Sequence, residues 1–293
     1  MWRHASVYDG INITYEHYFT CAFCRSNMAS QKIENRWPLD TQMLNMEHEL
    51  AMRSLIKYCD ETYARHLPVT SDFYVEDVSF QCCPVCGWWC IIQDIQYDTY
   101  KMPYMAYQWA AGALMSQNFP DVSASLSEIR SYLCARYEQR FLISPHKLEE
   151  VAASIFRTFK YDIHITNRTH DGGLDLFGFD LQGRPFGVQV KRYQKRIGVD
   201  LIREFIGALI LHNTLQGVFV TTSSFSREVP KLCRQAKIAG IQLQCADAHQ
   251  LLDMLKVVQI SNFALTDLNE LANIYASQVS VLNYGHAVHM NSL

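Results

Sequence analysis

Two segments constrain this chain most, because together they describe an acidic strand end beside a strand that ends in a polar and a cationic side chain. The first is Asp171-Gly172-Gly173-Leu174-Asp175, and the second is Gln189-Val190-Lys191. Alternate side chains of a strand share a face, so Gln189 and Lys191 point the same way while Val190 turns into the core. The pattern predicts one polar site at a sheet edge.

The residue types at this edge suit a metal-dependent phosphodiesterase. Phosphodiester hydrolysis needs a cation that neutralises the scissile phosphate and lowers the pKa of an attacking water. Mg²⁺ prefers oxygen ligands and uses only one or two protein carboxylates. We therefore expect Asp175, Glu149 and the Val190 carbonyl to bind catalytic Mg²⁺ or Mn²⁺. The Lys191 ammonium is expected to orient the water and stabilise charge on the phosphorane.

Hydrophobic periodicity from residue 144 to 260 predicts the order αβββαβαβα, an α/β (mixed α+β) domain whose mixed sheet is flanked by helices. Ser144-Pro145 begins the first helix, because Ser is a good N-cap and Pro fits the first helical position. This helix places Glu149 at the edge of its buried stripe. The predicted strands are Tyr161–Thr166, Leu174–Phe179, Phe186–Lys191, Gly217–Thr222 and Ile241–Gln244, and the later helices are Val199–Asn213, Ser226–Ala239 and Asp247–Val257.

Residues 144–256 resemble the Mrr-like type IV restriction endonucleases of the PD-(D/E)XK nuclease superfamily. Beside the two segments above, the blocks that carry the resemblance are Pro145-His146-Lys147-Leu148-Glu149-Glu150-Val151-Ala152, Val188-Gln189-Val190-Lys191-Arg192-Tyr193, Ile202-Arg203-Glu204-Phe205-Ile206-Gly207-Ala208-Leu209, Gly217-Val218-Phe219-Val220-Thr221-Thr222-Ser223 and Phe225-Ser226. Several blocks in the family's order are far more specific than a single short motif.

The resemblance implies roles for four catalytic residues. Asp175 is similar to the family's metal-binding aspartate, Glu149 to its helix acid and Lys191 to its catalytic lysine. Gln189 stands where Glu is more common in the superfamily, and a neutral amide oxygen binds Mg²⁺ more weakly than a carboxylate. The implied activity is Mg²⁺-dependent cleavage of DNA in restriction or antiviral defence.

Charge is unevenly distributed along the chain, whose formal net charge is −3. Residues 145–260 carry 15 Lys and Arg against 11 Asp and Glu, a net +4, and the rest carries 11 against 18, a net −7. The C-terminal part is therefore the better candidate for contact with phosphates. Lys and Arg bind phosphates without reading base sequence, and the candidate residues are Arg192, Lys195, Arg196 and Arg203.

Two Cys-x-x-Cys pairs predict a structural zinc site in the N-terminal part. Cys83-Pro84-Val85-Cys86-Gly87 is a well-formed zinc knuckle, and Cys21-Ala22-Phe23-Cys24 is its natural partner. Four thiolates from Cys21, Cys24, Cys83 and Cys86 would complete a tetrahedral Zn²⁺ site. The gap between the pairs exceeds the usual one of about 15 to 20 residues, so an insertion is expected between them. Cys82 and Cys90 remain alternative ligands.

The sequence predicts three parts. Residues 1–143 form a separate zinc-knuckle and helical module, with helical stretches near Thr41–His66 and Ser123–Arg140, that recognises a target or a partner. Residues 144–260 form the nuclease domain, and residues 261–293 a C-terminal tail with one helix from Asp267. The aromatic residues that follow the second cysteine pair, Trp88, Trp89, Tyr97, Tyr100, Tyr104, Tyr107 and Trp109, are predicted to form a core, with a base-stacking platform as the alternative.

Partners and rival functions follow from the same features. No apolar run reaches the ~18 to 20 residues that span a bilayer, and the start lacks a secretory pattern, so a cytoplasmic protein without membrane contact is expected. DNA is the expected partner, and a homo-oligomer or a partner defence protein stays open. The rival functions are a catalytically inactive nucleic-acid-binding scaffold of the same fold, and a DNA-repair or RNA-acting nuclease.

Overall fold

The computed structural model describes residues 1–5, 9, 11, 13, 15–46, 73–97, 104–115, 124–166, 172–284 and 288–289. The chain divides into two compact units. The first unit is Met1–Met115 with Phe263–Leu293, and the second unit is Ser116–Asn262. This division differs from the predicted boundary at residue 143 and from the predicted separate tail at 261–293. No helix of the described residues is long and apolar enough to cross a membrane.

The second unit is a five-stranded mixed sheet with helices, as the periodicity predicts. Its elements are α1 (Leu126–Ala135), α2 (Pro145–Thr158), β6 (Asp162–Ile165), β7 (Leu176–Phe179), β8 (Pro185–Lys191), α3 (Val199–Leu211), β9 (Gln216–Thr221), α4 (Val229–Ile238), β10 (Gln242–Ala246) and α5 (Ala248–Asn262). The strand order is β10-β9-β8-β7-β6. The first three strands along the chain pair antiparallel, and β8, β9 and β10 pair parallel. The predicted order from α2 to α5 is therefore confirmed.

Local sequence signals set the boundaries of these elements. The Ser144 hydroxyl accepts from the Lys147 backbone N–H, which caps α2 directly before Pro145. The β7–β8 turn is closed by Asp180, whose carboxylate accepts from the backbone N–H of Arg184. Helix α4 is followed by Gly240 at φ +87°, a left-handed conformation that ends the helix without Cβ strain.

A buried arginine explains why α1 belongs to the second unit. Arg130 is 8% exposed, and its guanidinium donates to Gln259 Oε1 at 3.0 Å and to Ser154 Oγ at 2.9 Å. These contacts join α1 to α5 and α2, and Gln259 also donates to Ser131 Oγ at 2.6 Å. A buried guanidinium is tolerated only when its donors are paired, so the three helices are fixed together.

The first unit is mainly an antiparallel sheet. Its strands are β1 (Trp2–His4), β2 (Ala29–Lys32), β3 (Phe73–Cys82), β4 (Trp89–Tyr97), β5 (Tyr104–Leu114), β11 (Asn283–Tyr284) and β12 (Val288–His289). The order is β1-β5-β4-β3-β2, and β11 and β12 also pair with β5. The predicted tail helix is α6 (Leu265–Gln278), and the strands after it add the C-terminus to this sheet. The sequence predicted a zinc-knuckle and helical module here and did not predict this sheet. Of the helical stretch predicted near Thr41–His66, residues 41–46 are helical, and residues 47–66 lie outside the described residues.

Two glycines of the second unit give a matched stability test. A Cβ at Gly178 in β7 would lie 2.1 Å from the Asp162 carbonyl oxygen of β6, a clash with backbone that cannot move alone. We expect Gly178→Ala to lower the free energy of unfolding by about 2–3 kcal/mol. A Cβ at Gly207, inside α3, meets nothing within 4 Å, so Gly207→Ala should raise that free energy by about 0.5–1 kcal/mol. Urea unfolding of both variants measures the two effects, and equal stabilities would contradict the β6–β7 packing.

Candidate active site and cysteine cluster

Asp175 lies where β7 begins, and its carboxylate contacts β8 directly. One carboxylate oxygen, Oδ2, accepts from the Val190 backbone N–H at 2.7 Å and from the Gln189 side-chain amide at 2.5 Å. The Asp175 backbone N–H donates to the Val188 carbonyl at 3.0 Å, which anchors the residue to the same strand. Oδ1 makes no hydrogen bond to any described residue.

The Val190 peptide group faces the same edge of β8 as Asp175. Along a strand, successive residues direct their N–H and C=O groups alternately to the two sides. Val188 O is bonded to Asp175 on one side, and Lys191 O is bonded to the Thr222 N–H on the other side. The Val190 carbonyl therefore points to the Asp175 side, beyond Val188, where pairing with β7 ends. This is the carbonyl expected to face a cation.

Lys191 is the last residue of β8 and shares the Gln189 face of that strand. Gln189 is 7% exposed, and Lys191 is half-buried at the rim of the sheet. The structure thus brings Asp175, Gln189 and the Val190 peptide into contact, and it places Lys191 one strand repeat further out. An arrangement of two oxygen ligands beside a lysine ammonium suits divalent-cation chemistry on a phosphodiester.

Glu149 lies in α2 and is held by a neighbour on the same helix. Its side chain is 15% exposed, and its carboxylate lies 3.2 Å from His146 Nδ1. The other ring nitrogen of His146 lies 3.4 Å from Glu150, which also pairs with Lys147 at 2.6 Å. Sequence reasoning did not assign His146; its position three residues before Glu149 on a helix was the available signal.

The start of α2 lies at the sheet edge that carries Lys191. Arg140 donates through Nε to the Thr222 carbonyl at 2.9 Å, and Arg192 donates to the Phe141 carbonyl. These bonds tie residues 140–141, directly before α2, to the ends of β8 and β9. Glu149 lies in the second turn of α2, and its meeting with Asp175 and Gln189 stays a prediction.

The four candidate phosphate-binding residues are exposed. Arg192, Lys195 and Arg196 lie in the loop that follows Lys191, and Arg203 lies on α3. Arg203 pairs with Asp200 at 3.1 Å, although both side chains remain largely exposed. Such exposed pairs contribute little to stability, so the guanidinium stays accessible to a phosphate.

The part of the chain that contains this sheet edge also matches a known protein family. A family model for the restriction endonuclease domain named Mrr_cat matches residues 142–255. Over these residues the chain resembles the Mrr-like restriction endonuclease family. The Mrr-like domain begins at the segment before α2 and ends within α5, so it contains Glu149, Asp175, Gln189 and Lys191.

One curated relative aligns with the Mrr-like domain. The chain is 28% identical over 124 residues to the type IV methyl-directed restriction enzyme EcoKMrr of Escherichia coli (strain K12), and the alignment covers 39% of this chain and 41% of that protein. The chain therefore matches less than half of the length of this relative.

Two solved structures show a weak likeness. The DNA modification-dependent restriction endonuclease AspBHI aligns at 18% identity and a TM-score of 0.35, covering 57% of this chain and 44% of that chain. The MspJI restriction endonuclease in complex with a 27-mer oligonucleotide aligns at 19% identity and a TM-score of 0.31, covering 57% and 39%. At these low TM-scores, neither alignment indicates a role for any residue of the Mrr-like domain.

The first unit contains a second candidate site, made by the four cysteines that the sequence paired. The sulfur atoms of Cys21, Cys24, Cys83 and Cys86 all lie within 4.8 Å of one another, and all four residues are buried. Cys21 Sγ lies 3.5 Å from Cys86 Sγ, and Cys24 Sγ lies 3.3 Å from Cys83 Sγ. A buried set of four sulfur ligands could hold one metal ion, and tetrahedral sulfur sites are typical of zinc.

Strand pairing explains how distant cysteines meet. The second pair forms the loop between β3 and β4, where Cys82 is paired with Trp89. The first pair precedes β2, whose Ala29 is paired with Cys82. The predicted insertion therefore lies between two neighbouring strands, β2 and β3, and leaves the two cysteine loops side by side.

The two cysteine loops have the same backbone geometry. The Gly87 N–H donates to the Cys83 carbonyl at 2.9 Å, and the Arg25 N–H donates to the Cys21 carbonyl at 3.2 Å. Both donors have a positive φ, +73° for Gly87 and +60° for Arg25. Gly87 adopts this conformation freely, whereas Arg25 is strained by its Cβ. Strain at a non-glycine residue persists only where its surroundings hold it, as paired metal-binding loops would.

The four thiols polarise one another. Hydrogen bonds from neighbouring thiols, Cys21 first, lower the pKa of Cys24 and of Cys83. The same bonds raise the pKa of Cys21, chiefly through Cys24, and that of Cys86, chiefly through Cys21. The lowered pKa values of Cys24 and Cys83 fit a metal-binding role, because the thiolate is the form that binds metal.

The alternative ligands and the aromatic residues are core components. Burial raises the pKa of Cys82 to about 12, and burial raises the pKa of Cys90, so both remain thiols outside the four-sulfur group. Trp88 and Trp89 are fully buried. Trp89 stacks on Tyr275 of α6 at 4.5 Å. These tryptophans form core, as predicted, and Tyr107 and Trp109 are buried as well; the side chains of Tyr97, Tyr100 and Tyr104 lie outside the described residues.

Proposed function

We propose that this protein is a Mg²⁺-dependent DNA endonuclease that restricts foreign DNA, with Mn²⁺ as an alternative ion. The observation that carries the proposal is the arrangement of the Asp175 carboxylate, whose Oδ2 is fixed by Gln189 and Val190 and whose Oδ1 has no hydrogen bond to the described residues. A carboxylate oxygen and a carbonyl oxygen on one side of β8 fit the ligand preference of Mg²⁺.

Each residue of the site would have a distinct role in cleavage. Asp175, the Val190 carbonyl and Glu149 would hold the ion, which supplies a polarised water and neutralises phosphate charge. Lys191 would stabilise the charge that develops on the phosphate oxygens. Gln189 would keep the Asp175 carboxylate in place through its amide N–H. Arg192, Lys195, Arg196 and Arg203 would contact flanking phosphates without reading sequence.

The first unit is proposed to bind one structural Zn²⁺ and to recognise the target or a partner. Four buried sulfur ligands leave no open coordination position, so this metal would stabilise the fold and take no part in chemistry. The aligned relative is named as methyl-directed. Because that alignment covers only 124 residues, cleavage should be measured on both modified and unmodified DNA.

A cleavage panel tests the proposed activity. Purified protein is mixed with Mg²⁺, Mn²⁺ or a chelator and with methylated, hydroxymethylated, unmodified and single-stranded DNA. We expect metal-dependent cuts in at least one duplex, and about 10²-fold or greater loss of rate in Asp175→Asn, which keeps the shape but removes the charge that binds the ion.

The control for this panel is Asp200→Asn, an exposed acid on α3 that pairs only with Arg203. Its cleavage rate should stay within about twofold of wild type because exposed pairs of this kind contribute little. Binding without cleavage under every condition would favour the inactive scaffold, and cleavage of RNA alone would favour an RNA-acting nuclease.

A further inference from the structure

Three consecutive hydroxyl residues, the last of β9 and the two after it, donate hydrogen bonds to the segment that begins at Lys191. Thr221 Oγ1 donates to the Lys191 carbonyl at 2.9 Å, Thr222 Oγ1 to the Tyr193 carbonyl at 3.0 Å, and Ser223 Oγ to the Gln194 carbonyl at 3.1 Å. The exposed fractions of the three residues are 0%, 0% and 7%. We call residues 221–223 the hydroxyl clamp.

The backbone geometry explains how three neighbours act on one loop. Side chains of a regular strand alternate between faces, so only every second residue of a strand meets the same neighbour. Here β9 ends at Thr221, and the chain bends at Thr222 and Ser223. The bend turns all three hydroxyls toward residues 191–194.

Backbone bonds complete the attachment of the loop. The Ile197 N–H donates to the Ser224 carbonyl at 2.9 Å, and the Ser226 N–H donates to the Ile197 carbonyl at 2.9 Å. The loop is thus fixed at 191, 193, 194 and 197, while the side chains from Arg192 to Arg196 are exposed. Three of those five side chains are cationic.

We propose that Thr222 and Ser223 are positioning residues that hold the basic loop 192–196 in its DNA-binding conformation. A fixed backbone lets Arg192, Lys195 and Arg196 meet phosphates without first losing the conformational freedom of the loop, which otherwise opposes binding. Thr221, bonded to the carbonyl of Lys191, extends the same support to the proposed catalytic lysine. The inference rests on the proposed function, because the ligand of the loop is the DNA backbone.

Thr214 supplies a matched control in the same unit. It is 1% exposed, and its hydroxyl donates to the Pro185 carbonyl at 2.7 Å. Pro185 begins β8 and Lys191 ends it, so this bond lies at the opposite end of the strand. Thr222→Val removes the hydroxyl bond to the Tyr193 carbonyl, and Thr214→Val removes the bond to the Pro185 carbonyl together with two 3.4 Å contacts to the Gln216 backbone. Both variants keep the side-chain shape, so Thr214→Val should reduce thermal stability at least as much as Thr222→Val.

The first measurement is amide hydrogen exchange over residues 192–197, which requires no nuclease activity. Thr222→Val should speed exchange in this loop about tenfold or more because opening of the loop then breaks one buried hydrogen bond fewer. Thr214→Val should leave exchange of the loop at the wild-type rate, and Thr222→Ser, which retains the hydroxyl, should restore it.

The second measurement is fluorescence anisotropy with a duplex oligonucleotide at fixed low salt and without divalent metal. Thr222→Val should raise Kd about tenfold, the scale expected when side chains must be ordered on binding. Thr222→Ser and Thr214→Val should bind as wild type does. A Thr222→Val protein that matches Thr214→Val in both exchange and affinity would overturn the proposal. Absence of DNA binding in wild type and in every variant would instead overturn the proposed function, and this inference with it.

Discussion

Lys191→Ala is expected to reduce metal-dependent DNA cleavage by about 10²- to 10³-fold, the range found when one charge-stabilising donor is removed from an active site. Lys191 ends β8 on the face of Gln189, which contacts Asp175. The alanine side chain leaves the proposed ligands Asp175 and Val190 unchanged, so metal binding should persist while the developing phosphate charge loses its cation.

Folding should be nearly unaffected by this substitution. Lys191 is half-buried, and its bonds to the neighbouring strand are made by its backbone carbonyl, which alanine retains. Single-turnover cleavage, circular dichroism and thermal unfolding measure the two effects separately. Lys237→Ala, an exposed lysine in the last turn of α4, serves as the control and should cleave as wild type does.

The outcome distinguishes two sources of activity. Equal cleavage by wild type and Lys191→Ala would show that the measured activity does not arise at this sheet edge. Loss of DNA affinity together with cleavage would show that Lys191 mainly binds substrate. The expected pattern is a fall in the rate of the chemical step, with Kd for DNA changed by less than about threefold, because the proposed phosphate contacts are made by three loop cations and Arg203.

The architecture of the second unit could be predicted because its signals are local. Ser144-Pro145 begins α2, Gly240 follows α4, and the segment from Asp180 to Arg184 closes the β7–β8 hairpin. Each of these capping and turn signals involves only a few consecutive residues, so it can be recognised in the sequence. Helix α1 was predicted within residues 1–143, whereas it lies in the second compact unit, where Arg130 bonds to Gln259 and Ser154, residues far from it in the chain.

The sheet of the first unit could not be predicted in the same way. Strand β3 alternates exposed and buried residues only in its first half, and from Val78 onward its residues are buried on both faces. Continuous burial removes the period of two by which strands are recognised. The C-terminal strands β11 and β12 pair with β5, an association that local patterns do not specify.

Chemistry and spacing predicted that Asp175, Gln189 and the Val190 peptide share one site, and the structure brings these three into contact. The catalytic roles of Glu149 and Lys191 stay predictions. The hydroxyl clamp was missed because Thr221, Thr222 and Ser223 resemble an ordinary strand end in sequence. Their joint action requires the bend after β9 and the nearby loop carbonyls, and both are properties of the folded chain. The meeting of the cysteine pairs likewise depends on β2–β3 pairing across the insertion.

Loss of zinc is expected to unfold the first unit. Structural Zn²⁺ sites contribute apparent binding free energies of about 10–16 kcal/mol near neutral pH, comparable to or larger than the stability of a domain. The four sulfurs tie the loop before β2 to the loop between β3 and β4. Elemental analysis should find about one Zn per chain, because the cluster offers four ligands to a tetrahedral ion.

Cys86→Ala tests the cluster against a matched control, Cys90→Ala. Both residues are fully buried, but only Cys86 belongs to the four-sulfur group. We expect Cys86→Ala to lose bound zinc and most of the sheet signal of the first unit. Cys90→Ala should keep zinc and lose only about 1–2 kcal/mol of stability, the cost of a small cavity.

Cys82→Ala decides which neighbour of the loop binds metal. Cys82 is buried beside Cys83, and its pKa, raised by burial to about 12, opposes the thiolate that zinc requires. Zinc content should therefore stay at the wild-type value in Cys82→Ala and fall in Cys83→Ala. If Cys82→Ala lost zinc and Cys83→Ala kept it, the ligand would be Cys82 and not Cys83. If the first unit stayed folded with no bound metal, zinc would not have the proposed structural role. Without an ion, the four buried thiols would make only weak hydrogen bonds in place of metal–sulfur bonds.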